Sequence, residues 1–135
     1  MSFESNVFVN CPFDDKYLPL LRPLLFTIIA LGLSPRIALE DLDSGRPRVQ
    51  KLLALIEESK YAIHDLSRIK AEKKGEFYRL NVPFELGLDV GCRLFKGGQW
   101  ARKRCLILEG EFPFRIYHMH GKFETIRNKG KEQGA

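Results

Sequence analysis

Along the chain, the spacing of apolar positions switches between a strand-like run and a helical repeat several times. Val7, Phe8 and Val9 in NVFVN at 6–10 form a short β-rich run that Cys11-Pro12 ends. A near-continuous apolar strand of this kind belongs inside a parallel sheet. From about Tyr17 to Leu31, Leu18, Leu21, Leu25 and Ile28 recur at three- and four-residue spacing. This predicts a helix closed by Gly32, with Pro19 and Pro23 in its opening turns, where the first amides have no intrahelical acceptor. A second strand is predicted over Arg36 to Glu40. After the loop EDLDSGRPR, Val49, Leu52, Leu53 and Ile56 mark one apolar face of a second helix. Tyr61 to Leu66 reads as a third strand and the lysine-rich stretch 67–79 as a connection. A third helix is predicted from near Pro83 to about Phe95, and KRCLILE at 103–109 gives a fourth strand after the KGGQW turn.

Strands alternating with helices imply right-handed crossovers and a parallel sheet covered on both faces. The expected fold is therefore α/β, a three-layer sandwich around a parallel four- or five-stranded sheet of flavodoxin-like or Rossmann-like type. Residues 1–110 form the domain, and 111–135 read as an irregular tail. FPFRIYHMHG and ETIRNKGKEQGA show no clear alternation, so no fifth strand is expected there. Four strands leave an open apolar edge that such folds usually cover. Three alternatives follow: the tail packs on that edge, a second copy in a homo-oligomer covers it, or the chain is truncated relative to its relatives.

The chain has 135 residues, 44% of them hydrophobic and 29% charged, a composition that suits one globular domain. The longest apolar stretch, LLFTIIALGL at 24–33, is about half of the ~20 residues a bilayer-spanning helix needs, and no signal sequence opens the chain. A cytoplasmic protein without a membrane partner is expected. Cys11, Cys92 and Cys105 are odd in number and widely spaced, which argues for reduced thiols and against a zinc site. The net charge of +5 gathers in two basic clusters, at 68–79 and around the Gly-Gly turn. Neither has the aromatic interleaving of a nucleic-acid surface, which argues against such a partner.

In open parallel sheets, ligands bind beyond the carboxyl ends of the strands, where strand order reverses. That rule selects Asn10, Cys11, Asp14 and Asp15 after the first strand, Asp65 and Ser67 after the third, and Glu85 at the start of the third helix. Clustered carboxylates there can hold ribose hydroxyls, stabilise a cationic sugar, or act as nucleophile or base. At 100° per residue, Phe84, Leu86, Leu88, Val90, Gly91, Leu94 and Phe95 fill one arc of that helix, with Glu85, Asp89, Cys92 and Arg93 on the other. Glu85 and Asp89 are thus neighbours. A Glu in a first helical turn also gains roughly 0.3–1 kcal/mol from the helix dipole with no function attached. Similarly, an acidic pair on a solvated face is ordinary.

His64 reads as a hydrogen-bonded core residue, and Cys11 as a small buried hydrophobe. His118 and His120 lack a third ligand, so no metal is expected. Arg46 and Arg48, before the second helix, could pair with a phosphate, although exposed arginines are commonly just solvated. No GxGxxG, GxxxxGK[ST] or HExxH is present.

VFVNCPFDDKY, YAIHDLS and NVPFELGLDVG, in that order, resemble the nucleoside 2-deoxyribosyltransferase-like and TIR-like families, which share a small flavodoxin-like fold. The match runs over residues 6–109, and NVPFELG is its most specific piece. The resemblance implies chemistry at an N-glycosidic bond, either deoxyribosyl transfer between bases or release of nicotinamide from NAD. NAD would then be a substrate, and no cofactor is implied. Glu85 would be the nucleophile or the stabiliser of the oxocarbenium ion, and Asp65 would contact the sugar or base. Asn10, Cys11, Pro12 and Phe13 would floor the nucleoside pocket. The chain departs from these families in the basic insertion 68–79 and in its C-terminal residues. With basic loops on the same side as Glu85 and Asp65, a nucleotide is favoured over a free nucleoside. The alternative function is a catalytically silent nucleotide-sensing module that works by self-association.

Overall fold

The computed structural model describes residues 2–38, 47–67, 73–75, 81–109, 115–120 and 122–127, the last two ranges through their backbone. Its elements are β1 (Asn6–Asn10), α1 (Leu18–Ala30), β2 (Ser34–Ile37), α2 (Arg48–Glu57), β3 (Tyr61–Asp65), α3 (Asn81–Phe95), β4 (Arg104–Leu108), β5 (Arg115–His120) and β6 (Lys122–Arg127), with a 3-10 turn at Gly98–Arg102 before β4. The strand order is β2-β1-β3-β4-β5-β6. The first four strands are parallel, as expected, so the chain has an α/β fold compatible with the flavodoxin-like or Rossmann-like type.

Because successive strand residues point to opposite faces, β1 seeds two cores. Val7, Val9 and Cys11 pack with Leu21 and Ile28 of α1, while Phe8 packs with Leu52, Leu55 and Ile56 of α2 and with Ala62 and Cys105. All five β1 residues are buried, as befits an interior strand flanked by β2 and β3. No helix among the described residues is long and apolar enough to cross a membrane.

The structure corrects several boundaries. β2 begins at Ser34 and its pairing ends at Ile37, because Pro35 is tolerated in an edge strand that bonds on one side only. Pro23 lies in the interior of α1, one turn beyond the opening turn. There it removes one ladder bond, while the Thr27 hydroxyl donates to the Pro23 carbonyl at 2.8 Å. Gly32 does end the helix, with φ of 74°. In α2, Leu52 and Ile56 are buried, but Val49 and Leu53 face outward and Leu55 takes their place in the core.

The expectation of no strand beyond the fourth does not hold. β5 runs antiparallel along β4, pairing Leu106 with His118 and Leu108 with Ile116, and β6 pairs antiparallel with β5. The edge of β4 is thus occupied by the chain's own C-terminal segment. An added antiparallel ribbon does not require the apolar run of a central strand, which is why RIYHMH and KFETIR carry so weak a pattern.

Both arcs of α3 reach the core: Leu86, Leu88 and Val90 of the apolar arc pack, half-buried, against the cluster around Phe8 and Ile56. Glu85 and Asp89 are its buried residues, whereas Phe84, Leu94 and Phe95 are exposed. Glu85 and Asp89 turn inward, and the solvated-face reading of Asp89 is overturned.

Candidate functional site

The site grows from the carboxyl ends of β1 and β3, which lie side by side at the switch in strand order. Register places Asn10 opposite His64, and the Asn10 Nδ2 amide lies 2.8 Å from His64 Nδ1. The same Nδ2 donates to the carbonyl of Val82 in the first turn of α3 at 3.1 Å. Across the ring, His64 Nε2 sits 3.0 Å from Asp89 Oδ2. Asp89 Oδ1 in turn lies 3.0 Å from Lys103 Nζ. Lys103 Nζ donates to the carbonyls of Ile56, at 2.7 Å, and Ser59, where α2 ends. His64, Asp89 and Lys103 are all buried, so this is a closed polar line through an apolar core. The expectation that His64 is a hydrogen-bonded core residue holds.

On the other face of the sheet, Asp65 Oδ2 accepts the Tyr17 hydroxyl, and Asp65 Oδ1 accepts the backbone amide of Ser67 at 2.7 Å. Cys11 is buried beside this pair. Burial pushes its thiol up to about 12, with the charge of Asp65 adding to the shift and the Tyr17 hydrogen bond opposing it. That is an inert protonated thiol, in keeping with the small-hydrophobe reading. Asp14 Oδ1 accepts the Tyr17 amide at 3.0 Å at the entry to α1. Pro12 is buried, Phe13 is half-buried against the α1 core, and Asp15 is exposed.

Glu85 behaves differently from the other buried carboxylates. It is 8% exposed, and no side-chain hydrogen bond or ion pair joins it to another described residue. Burial lifts its carboxyl above the usual glutamate range, and the charge of Arg48, at the start of α2, acts in the opposite direction. Because α3 begins at Asn81, two residues before the expected start, Glu85 falls beyond the first turn. The helix-dipole explanation for a glutamate here is weakened accordingly, since that effect fades within one turn.

Of the residues selected from sequence, Asn10, Asp65, Ser67, Cys11, Pro12, Phe13 and Asp14 lie at or just beyond the strand ends. Arg48 lies within electrostatic reach of Glu85. Asp89 is drawn into the interior, held by His64 and Lys103. Arg46 lies outside the described residues, as does most of the basic stretch 68–79. Sequence reasoning missed Tyr17 and Lys103. Lys103 shares its two-residue spacing with buried Cys105 and Ile107, and that period was the signal that it points inward. Tyr17 carried no such pattern.

No family model matches the chain, and no curated protein matches it at a significant level.

Proposed function

We propose that the chain is a nucleotide- or nucleoside-processing enzyme acting on an N-glycosidic bond, as an NAD glycohydrolase or a deoxyribosyl transferase. One observation carries this reading: Glu85 is a buried carboxyl with no neutralising partner in contact among the described residues, next to the switch point of a parallel sheet. Burying a carboxylate without pairing costs stability, and a site that stabilises an oxocarbenium ion is a reason to bear that cost. In this mechanism Glu85 attacks or stabilises the anomeric carbon as the base departs. Asp65, already oriented by Tyr17 and the Ser67 amide, accepts from a sugar hydroxyl. Asn10, Cys11, Pro12, Phe13 and Asp14 line the entry from β1. Arg48 pairs with a phosphate at the rim, which favours a nucleotide, and Arg46 is its proposed companion. No cofactor takes part.

The decisive experiment incubates the full chain at high concentration with NAD, and separately with deoxynucleosides plus free bases, and follows released base by chromatography. Base release from either supports the proposal; none from any substrate ends it.

A second reading is favoured by the outer surface of α1, where Leu20, Phe26, Ile29 and Leu31 are all more than half exposed. Here the chain is a silent nucleotide-sensing module that self-associates as a homo-oligomer in the cytoplasm. A rise in oligomeric mass on adding nucleotide, without turnover, supports it, and a strict monomer under both conditions counts against it.

A further inference from the structure

The bonds around His64 determine where its proton sits. The Val82 carbonyl can only accept, so the Asn10 atom facing it is the amide nitrogen. That nitrogen's second hydrogen then points at His64 Nδ1, which must accept and therefore carries no proton. On the other side of the ring, the Asp89 carboxylate can only accept, so His64 Nε2 carries the hydrogen. A proton on Nδ1 would set two donors against each other. Phe8 meets the ring edge-on, with centroids 5.9 Å apart, and blocks rotation on that side.

We propose that Asn10 and His64 are positioning residues: neutral His64, locked as its Nε2–H tautomer between Asp89 and Asn10, fixes the Asn10 amide on the Val82 carbonyl and so holds the turn of α3 that carries Glu85. Lys103 anchors the far end of this line, because its bonds to the Ile56 and Ser59 carbonyls and to Asp89 tie it to the end of α2. Glu85 is three residues beyond Val82 on the same helix, so loosening the first turn moves its carboxyl outward into water. With both hydrogens of its amide committed, Asn10 has only its oxygen to offer a ligand. The functional meaning of this arrangement rests on the proposed role of Glu85.

Nuclear magnetic resonance on the isotope-labelled full chain tests it without substrate. Imidazole nitrogen shifts of the wild type are expected to show His64 Nε2 protonated and Nδ1 bare; a proton on Nδ1 overturns the proposal, whatever the variants do. The carbon-detected titration of the Glu85 carboxyl is the second readout. Asn10→Leu is close in shape but cannot donate, and His64→Phe cannot accept. In both, the Glu85 midpoint is expected to fall toward that of an ordinary glutamate. His64→Gln keeps an acceptor and a donor and should leave the midpoint at its wild-type position. A Glu85 midpoint unmoved in Asn10→Leu and His64→Phe reduces the line to packing and overturns the positioning role. Because neither readout requires turnover, an inactive wild type would end the catalytic reading while leaving this one to be judged separately.

Discussion

Two carboxylates one turn apart on α3 are both buried, yet their surroundings differ in kind. Asp89 meets His64 and Lys103. Burial alone would raise its pKa, but the His64 hydrogen bond and the Lys103 charge more than reverse this and hold the carboxyl below the ordinary aspartate range. Glu85 has the burial without those partners, and its pKa moves the opposite way. A buried charge that is paired serves the fold, whereas one without a counter-charge among the described residues, as at Glu85, destabilises it and points to another use. The same helix therefore carries a structural acid and a candidate reactive one, and local partners distinguish them where burial does not.

The sharpest way to break this contrast is to remove the negative charge at Asp89. Asp89→Asn leaves the Lys103 ammonium buried without a counter-charge and should lower stability by about 3–5 kcal/mol, measured by urea unfolding. A loss under about 1 kcal/mol would mean that the pairing is not what holds this part of the core. Glu85→Gln should do the reverse to the fold. Turnover is expected to drop about 100-fold or more, as for loss of an acid–base group, while the melting temperature rises because a neutral amide replaces a desolvated carboxylate. A variant that keeps wild-type turnover would remove Glu85 from the reaction.

The two acids should also separate by pH. The folded pKa of Asp89 is depressed, so its contribution is present above the unfolded aspartate value and is lost as pH falls through the folded one. The folded pKa of Glu85 is raised, so its ionised form penalises the native state above that pKa. The penalty disappears once pH falls below the unfolded glutamate value. The stabilisation by Glu85→Gln should therefore be full at neutral pH and absent in acid, whereas the destabilisation by Asp89→Asn should shrink in acid as the wild type loses its own advantage. Parallel thermal melts across pH would expose any failure of this divergence. The smallest expected effect is at Arg48. Arg48→Ala should raise the Glu85 titration midpoint further and weaken binding of a nucleotide, but not of its nucleoside, several-fold at low salt. Equal losses for both ligands in calorimetry would take Arg48 off the phosphate.

Much of the parallel sheet could be read from the chain, because Val7 to Val9, Tyr61 to Leu66 and Cys105 to Leu108 are dense in strand-forming residues between helical repeats. β5 and β6 could not, since antiparallel edge pairing leaves only a weak period in Arg115–His120 and Lys122–Arg127. The switch-point rule anticipated where Asn10, Asp65 and Glu85 lie, because that placement depends on topology alone. It did not reveal that Asp89 turns inward: at 100° per residue the angles separate an acidic arc from an apolar one, but that the acid is drawn into the core depends on Lys103 and His64, 14 and 25 residues away in sequence. The exposed Phe84, Leu94 and Phe95 are the other side of that outcome.

The line from Asn10 to His64 also has a kinetic consequence. Its two ends are separated by 54 residues, and the bond from Asn10 to Val82 spans 72. Chain closure over such distances costs entropy before any contact offsets it, so these bonds belong to the slow, non-local part of folding. The β5–β6 hairpin, by contrast, joins neighbouring segments and can close early. Glu85 is consequently assembled into its setting only when β1, β3 and α3 have all met, and a chain still emerging during synthesis, short of α3, carries the two strand tips without that acid.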